Sequence, residues 1–181
     1  WYGSDMTYFE RFLERQHRDQ PGHPVIVSEY GAGSDLRLHN PKNAVAFDFS
    51  MDYQQRYAEH YLPVIEQTPY VCGAAYWNFI DFASANRDES MPRINNKGLV
   101  ANNRRPKDVY YYYQASWVKK PVVHIAERDW VERTSLERMM AVKVYSNQSA
   151  VELIHNGRSL GIKKVENSMA VFDVDFADGI N

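Results

Sequence analysis

The chain of 181 residues holds one cysteine, Cys72, which excludes an internal disulfide and a multi-cysteine zinc site. Its six histidines (17, 23, 39, 60, 124 and 155) fall in no HxH, HxxxH or HExxH spacing, so a histidine-rich metal site is not expected. No apolar run approaches the about 18 residues that a membrane-spanning helix needs. Neither sign of charge dominates: the net charge is -2 and the pI about 6.3. Nothing therefore points to nucleic acid or an anionic membrane as a partner. What the chain has in quantity is aromatic. Phe, Trp and Tyr make up 14%, with thirteen tyrosines, which suits a site that stacks flat ligands and equally fills a core.

The spacing predicts alternating helices and strands over residues 1–118. Met6, Phe9, Phe12 and Leu13 recur at helical intervals after Ser4 or Asp5 as N-cap, and Pro21-Gly22 ends that helix. Pro24 to Glu29 reads as a strand. Residues 31–50 read as a long loop, a feature that is often functional in compact domains. Residues 51–67 read as a helix with Tyr53, Tyr57, Tyr61 and Val64 on one face, bent at Pro63. Residues 70–82 read as a strand buried on both faces, with Cys72 as a small inert core residue. A polar loop follows over 83–104, and then a helix over 106–117 that starts on a proline. After Lys119-Lys120-Pro121 the pattern becomes β-branched and alternating, and Asn156-Gly157 is a two-residue hairpin signal. The expected fold is α/β in residues 1–118 and all-β in residues 119–181. The second part has about five strands, where an immunoglobulin-like β-sandwich needs about seven. An opening Trp-Tyr-Gly, with no Met and no signal-peptide pattern, reads as an internal piece of a longer chain.

The stretch HPVIVSEYGAG, residues 23–33, concentrates the chemistry. A buried apolar strand rarely ends in an unpartnered carboxylate, because burying an ionised group is costly. A charge at a strand's C-terminal end beside a Gly-rich turn is where barrel enzymes keep catalytic groups. Glu29 can serve there as nucleophile, base or metal ligand, or simply sit in a structural ion pair. Trp77, with Asn78 and Asp81 behind it, is either a core tryptophan or an indole floor for a sugar ring. The loop 86–100, with Arg87, Asp88, Glu89, Arg93, Asn95, Asn96 and Lys97, is either a solvated surface or a recogniser of hydroxyls or a carboxylate. His39 and His60 read as structural or solvent-facing. Asn147-Gln148-Ser149 fits a glycosylation sequon, on its own a weak motif.

Taken in order, three segments resemble glycoside hydrolase family 2, the β-galactosidase and β-glucuronidase family. Pro24 to Gly31 resembles the strand that carries the nucleophile. Tyr76-Trp77-Asn78-Phe79-Ile80-Asp81-Phe82 resembles the last barrel strand. Asn95 to Val100, with Arg104-Arg105-Pro106-Lys107-Asp108, resembles the loop and helix start that follow, and Trp1-Tyr2 resembles the end of barrel strand six. The segment from Val144 through Gly161 resembles the β-sandwich that follows the barrel in many bacterial β-galactosidases.

The resemblance implies the C-terminal portion of a (β/α)8 TIM barrel in residues 1–118 and a truncated immunoglobulin-like sandwich in 119–181. It implies a retaining exo-glycosidase with Glu29 as nucleophile. Trp77, Asn95, Lys97, Tyr2 and Asp81 are then expected against the substrate, an oligosaccharide or other glycoside. The Asn95–Lys97 pair matches the grip on a sugar carboxylate in β-glucuronidases, but the family's β-galactosidases often carry a similar Asn-x-Lys-Gly-Leu-Val run, so the pair does not decide between them. The Arg87-Asp88-Glu89 context, the Gly-Leu-Val run and the sandwich favour a β-galactosidase. The family's acid/base glutamate follows an Asn, and no Asn-Glu pair precedes Glu29 here, so the 181 residues alone are expected to be inactive. No cofactor is expected, although some galactosidases of the family bind Mg²⁺ or Na⁺. A homo-oligomer and any compartment, whether periplasm, exterior or cytoplasm, remain open. The competing reading is a carbohydrate-binding module without chemistry.

Overall fold

The structure, a computed structural model, describes residues 1–2, 5–133 and 137–179. It divides into two compact units, Trp1–Val109 and Tyr110–Asn181. The division falls earlier than the composition change at 118/119.

The first unit opens with helix α1 (Thr7–Asp19). Ser4, one of the two expected caps, lies outside the described residues. Asp5 does the capping: its Oδ1 accepts hydrogen bonds from the Thr7 N–H at 3.0 Å and the Thr7 hydroxyl at 2.7 Å. Phe9 and Leu13 are buried. Strand β1 (Val25–Tyr30) runs parallel to β2 (Val71–Tyr76), with Tyr30 opposite Tyr76. Between them lies α2 (Met51–Gln67), capped by the Ser50 hydroxyl, which accepts from the Tyr53 N–H at 3.1 Å. Pro63 is inside α2, and the helix continues through it.

The tyrosine face of α2 builds the core. Tyr57 stacks on Tyr61 (ring centroids 4.0 Å apart), and Tyr61 stacks on both Phe9 of α1 (4.5 Å) and Tyr30 of β1 (6.1 Å). Such ring pairs add to plain area burial. The strand pair, however, is not covered on both faces as the sequence suggests. With only two strands in this sheet, Ile26 is 70% exposed and Cys72, expected as a core residue, is exposed. Burying both faces of a parallel sheet takes a layer on each side, and here the helices cover one.

The second departure lies in residues 83–104. Part of this expected loop is an antiparallel hairpin, β3 (Phe82–Asp88) with β4 (Pro92–Asn95). Its strands are polar and irregular in register, so no alternation announced it. Helix α3 (Asp108–Trp117) follows.

The second unit takes in most of α3 and is otherwise antiparallel β. Strands β5 (Val123–Ile125), β6 (Met139–Ser146) and β9 (Met169–Asp175) form one sheet, and β7 (Ala150–His155) pairs with β8 (Arg158–Lys164). Asn156 (φ 51°) and Gly157 (φ 77°) join β7 to β8. Both dihedrals are positive, as a primed hairpin turn requires. Alternate residues point inward, so Val142, Val144, Val151, Leu153, Ala170, Phe172 and Val174 form one core. The sequon asparagine is structural: Asn147 Nδ2 donates to the carbonyls of Val118 (2.7 Å) and Lys120 (2.6 Å), and its Oδ1 accepts from the Val122 N–H. Among the described residues no helix is long and apolar enough to cross a membrane.

Candidate active site

The site lies at the C-terminal ends of β1 and β2. Glu29 is the penultimate residue of β1, and Trp77 directly follows β2. The Trp77 N–H donates to the Tyr30 carbonyl at 2.8 Å, which fixes both residues at the same end of the parallel pair. The approach there is close enough to demand glycine: a Cβ on Gly31 would lie 2.2 Å from the Trp77 carbonyl oxygen. Trp77 remains 36% exposed, with Phe82 edge-on to its ring.

Tyr2 ties the acid to the cation. Its hydroxyl donates to Glu29 Oε2. Its ring lies 5.5 Å from the Lys97 ammonium, within reach of a cation–π contact. The backbone beside it is held as well, since the Gly31 N–H donates to the Trp1 carbonyl at 3.0 Å. Burial raises the Tyr2 phenol, and the hydrogen bond and charge of Glu29 raise it further. Tyr2 therefore stays a proton donor to Glu29 at neutral pH. Glu29 lines a cavity of about 340 Å³ with Tyr2, Trp1 and Phe12. Tyr2 also lines a second cavity of about 150 Å³ with Gly33, Phe49, Arg87, Glu89 and Lys97.

The charges of the second cavity do not balance. The Lys97 side chain is 9% exposed, and its Nζ lies 3.8 Å from Glu89 Oε1. The same oxygen accepts from Arg87 Nη1 at 2.8 Å. Two cations thus share one carboxylate. Burial pushes the Lys97 ammonium below its ordinary value; Glu89 opposes that shift and Arg87 adds to it. A second anion would relieve the imbalance.

Asn95 is buried, and its Oδ1 accepts from the Lys97 N–H at 3.3 Å, shaping the turn that presents Lys97. Asp81 departs from the expectation of a sugar-facing residue. Its carboxylate is buried, with Oδ1 accepting from the Gly98 N–H (2.7 Å) and from Lys107 Nζ (3.0 Å). Burial pushes the Asp81 carboxyl up and the Lys107 ammonium down, and each charge offsets the other's shift. Gly98 is needed for close approach: a Cβ there would lie 2.4 Å from the Asp81 nitrogen.

Sequence reasoning gave no role to Gln54 or Lys107, both fully buried beneath the site. One signal could have flagged Lys107. It stands immediately before α3, at the helix end where the macrodipole disfavours a cation.

Residues 1–121 match the model of the glycosyl hydrolases family 2, TIM barrel domain, and residues 137–180 match a domain of unknown function (DUF4982). The Bacteroides uniformis β-glucuronidase 2 covalently bound to cyclophellitol-6-carboxylate aziridine superposes with a TM-score of 0.89 at 59% identity, covering 98% of this chain and 22% of that one. A β-glucuronidase of Bacteroides fragilis is 33% identical, over 94% of this chain and 25% of its own length. A β-galactosidase of Bacteroides ovatus is 28% identical, over 67% of this chain and 14% of its own. The chain thus spans about a quarter or less of these relatives. With an acidic side chain at the mouth of a parallel strand pair and a family model covering 121 residues, the chain belongs to glycoside hydrolase family 2 and carries part of its TIM-barrel domain.

Proposed function

We propose that these residues supply the nucleophile and the sugar-acid pocket of a retaining exo-β-glucuronidase. The observation that carries this reading is the second cavity, lined by Arg87 and Lys97 with Glu89 as its one carboxylate. A uronate carboxylate supplies the missing negative charge, whereas a neutral galactoside leaves a buried ammonium undercompensated. The covalently bound ligand of the B. uniformis relative also bears a carboxylate.

In this reading Glu29 attacks the anomeric carbon as the leaving oxygen departs with a proton from a second carboxyl group. Water then releases the sugar from the glycosyl-enzyme. That second carboxyl must stand about 5–5.5 Å from Glu29. We assign it to the part of the whole protein outside these 181 residues, which by themselves are then inactive. Trp77 forms the floor, Tyr2 orients Glu29, and Asn95 and Lys97 grip the sugar acid. Asp81 supports the site from below. The β-galactoside reading rests on the B. ovatus relative.

The test uses the whole protein with p-nitrophenyl β-D-glucuronide and p-nitrophenyl β-D-galactoside. The glucuronide is expected to be preferred in kcat/KM by about 10²-fold or more, the scale of a buried charge left unpaired by the wrong substrate. Lys97→Met should erase most of that preference. A preference for the galactoside would overturn the assignment. Glu29→Gln should lower turnover by about 10⁴-fold or more, as expected for loss of a nucleophile; unchanged turnover would remove Glu29 from that role.

A further inference from the structure

Two buried side chains join the loop after β1 to the turn that carries Asn95 and Lys97. Lys107 Nζ has three hydrogens and three well-placed acceptors: the carbonyls of Ser34 (3.0 Å) and Asn96 (2.9 Å) and the Asp81 carboxylate (3.0 Å). Its side chain is 0% exposed. Gln54, projecting from α2, makes a parallel set. Its Nε2 donates to the carbonyls of Ala32 (2.9 Å) and Gly98 (3.1 Å), and its Oε1 accepts from the Ser34 hydroxyl at 2.6 Å. Each side chain therefore touches residues 32–34 on one side and 96–98 on the other. A backbone bond from the Ser34 N–H to the Asn96 carbonyl (3.0 Å) runs between them.

Neither placement is cheap. A buried ammonium before a helix N-terminus opposes the macrodipole and loses its hydration, and a buried amide must find all its partners. An apolar pair would hold two loops together at less cost, but without fixing their separation, because apolar contact is non-directional. Hydrogen bonds near 3 Å set distance and angle together.

We infer that Gln54 and Lys107 are positioning residues that set where Asn95 and Lys97 stand relative to Glu29. This rests on the sugar-acid reading above for what Lys97 holds. Glu29 itself sits on β1 between Val27 and Tyr30, which pair with Ala74 and Tyr76 of β2. Loosening the two brackets therefore disturbs the grip on the sugar more than the attack on it, and the effect falls on KM rather than kcat.

The experiment measures kcat, KM and Tm in the whole protein for Gln54→Leu, the double variant Asp81→Asn with Lys107→Met, and Lys97→Met. The assay uses whichever of the two p-nitrophenyl glycosides is turned over. The double variant removes both members of the buried pair, so no charge is stranded if Lys107→Met alone fails to fold. Gln54→Leu and the double variant are expected to raise KM about tenfold, the scale of a lost oriented hydrogen bond, with kcat within about threefold. If both variants lower Tm yet keep the wild-type KM, the residues only stabilise the fold and the inference is wrong. Lys97→Met separates the two ideas. An unchanged KM there, with KM raised by Gln54→Leu, removes the sugar-acid reading and leaves the brackets standing. A raised KM there, with both bracket variants at wild-type KM, does the reverse.

Discussion

The two units bury different chemistry. Among the described residues fourteen polar or charged side chains are buried, and twelve of them precede Tyr110; only His124 and Ser146 follow it. The second unit buries an aliphatic strand cluster with one phenylalanine, and also Tyr112, Tyr113 and Tyr145. The first places an ion pair, two glutamines and two asparagines under its strand ends. The second unit packs its core with few buried polar side chains among the described residues. Polar burial in the first unit is an added cost, and its placement beneath Glu29 and Lys97 indicates what that cost achieves: it fixes groups at set distances. Apolar packing tolerates slippage, whereas a satisfied polar network has one arrangement.

Three measurements sharpen or break this contrast, with hydrogen exchange read separately over residues 1–109 and 110–179. The largest effect is expected for Lys107→Met alone, which leaves the Asp81 carboxylate buried and unpaired at a cost of about 3–5 kcal/mol. Adding Asp81→Asn should recover most of that loss, with the exchange change confined to the first region. If the double variant is no better than the single, the pair does not act as a network.

Leu153→Ala comes next. It should cost about 2–5 kcal/mol through lost transfer energy and a cavity, with faster exchange in the second region. No second polar substitution should rescue it, because no partner is stranded. A loss below about 1 kcal/mol would mean that this core collapses around the gap and is less tightly packed than its burial suggests.

The smallest effect concerns acid. Burial pushes the Asp48 carboxyl up, but hydrogen bonds from the Ser50 and Val45 N–H groups, the Ser50 hydroxyl and Asn40 outweigh that and hold it below its ordinary 3.8. A carboxyl lowered in the folded state stabilises above its unfolded value, and the gain is lost as pH falls through the folded value. Asp48→Asn should therefore lower stability near neutral pH by about 1 kcal/mol, with the difference from wild type closing as pH drops below 3.8. A gap independent of pH would assign the effect to geometry rather than charge.

Much of the fold was legible because local rules govern it. Residues 51–67 were read as a helix to the residue, since a tyrosine every fourth position leaves little choice. Asn156-Gly157 announced its turn because few residue pairs accept two positive φ angles. The β3–β4 hairpin went unread, because short polar strands carry no alternation, and one of them begins with a proline. The exposure of Cys72 has a different origin. Apolar character states a preference for burial, but which face of β2 is covered depends on what packs there. In the site, Glu29 and Trp77 stood out through their positions at strand ends. Asp81 was singled out but given the wrong partner: nothing in the order of residues says that its carboxylate meets an ammonium twenty-six positions later.

The sequence by itself determined the periods, the turns and the residue types that resemble those of glycoside hydrolase family 2, because these depend on neighbours a few residues apart. Only the tertiary structure decided which charges meet. Lys97 shares Glu89 with Arg87, Tyr2 reaches Glu29, and Lys107 takes acceptors from three separate segments. Electrostatic and hydrogen-bond energies depend on distances of a few ångströms, and those distances between remote residues exist only once the chain has folded.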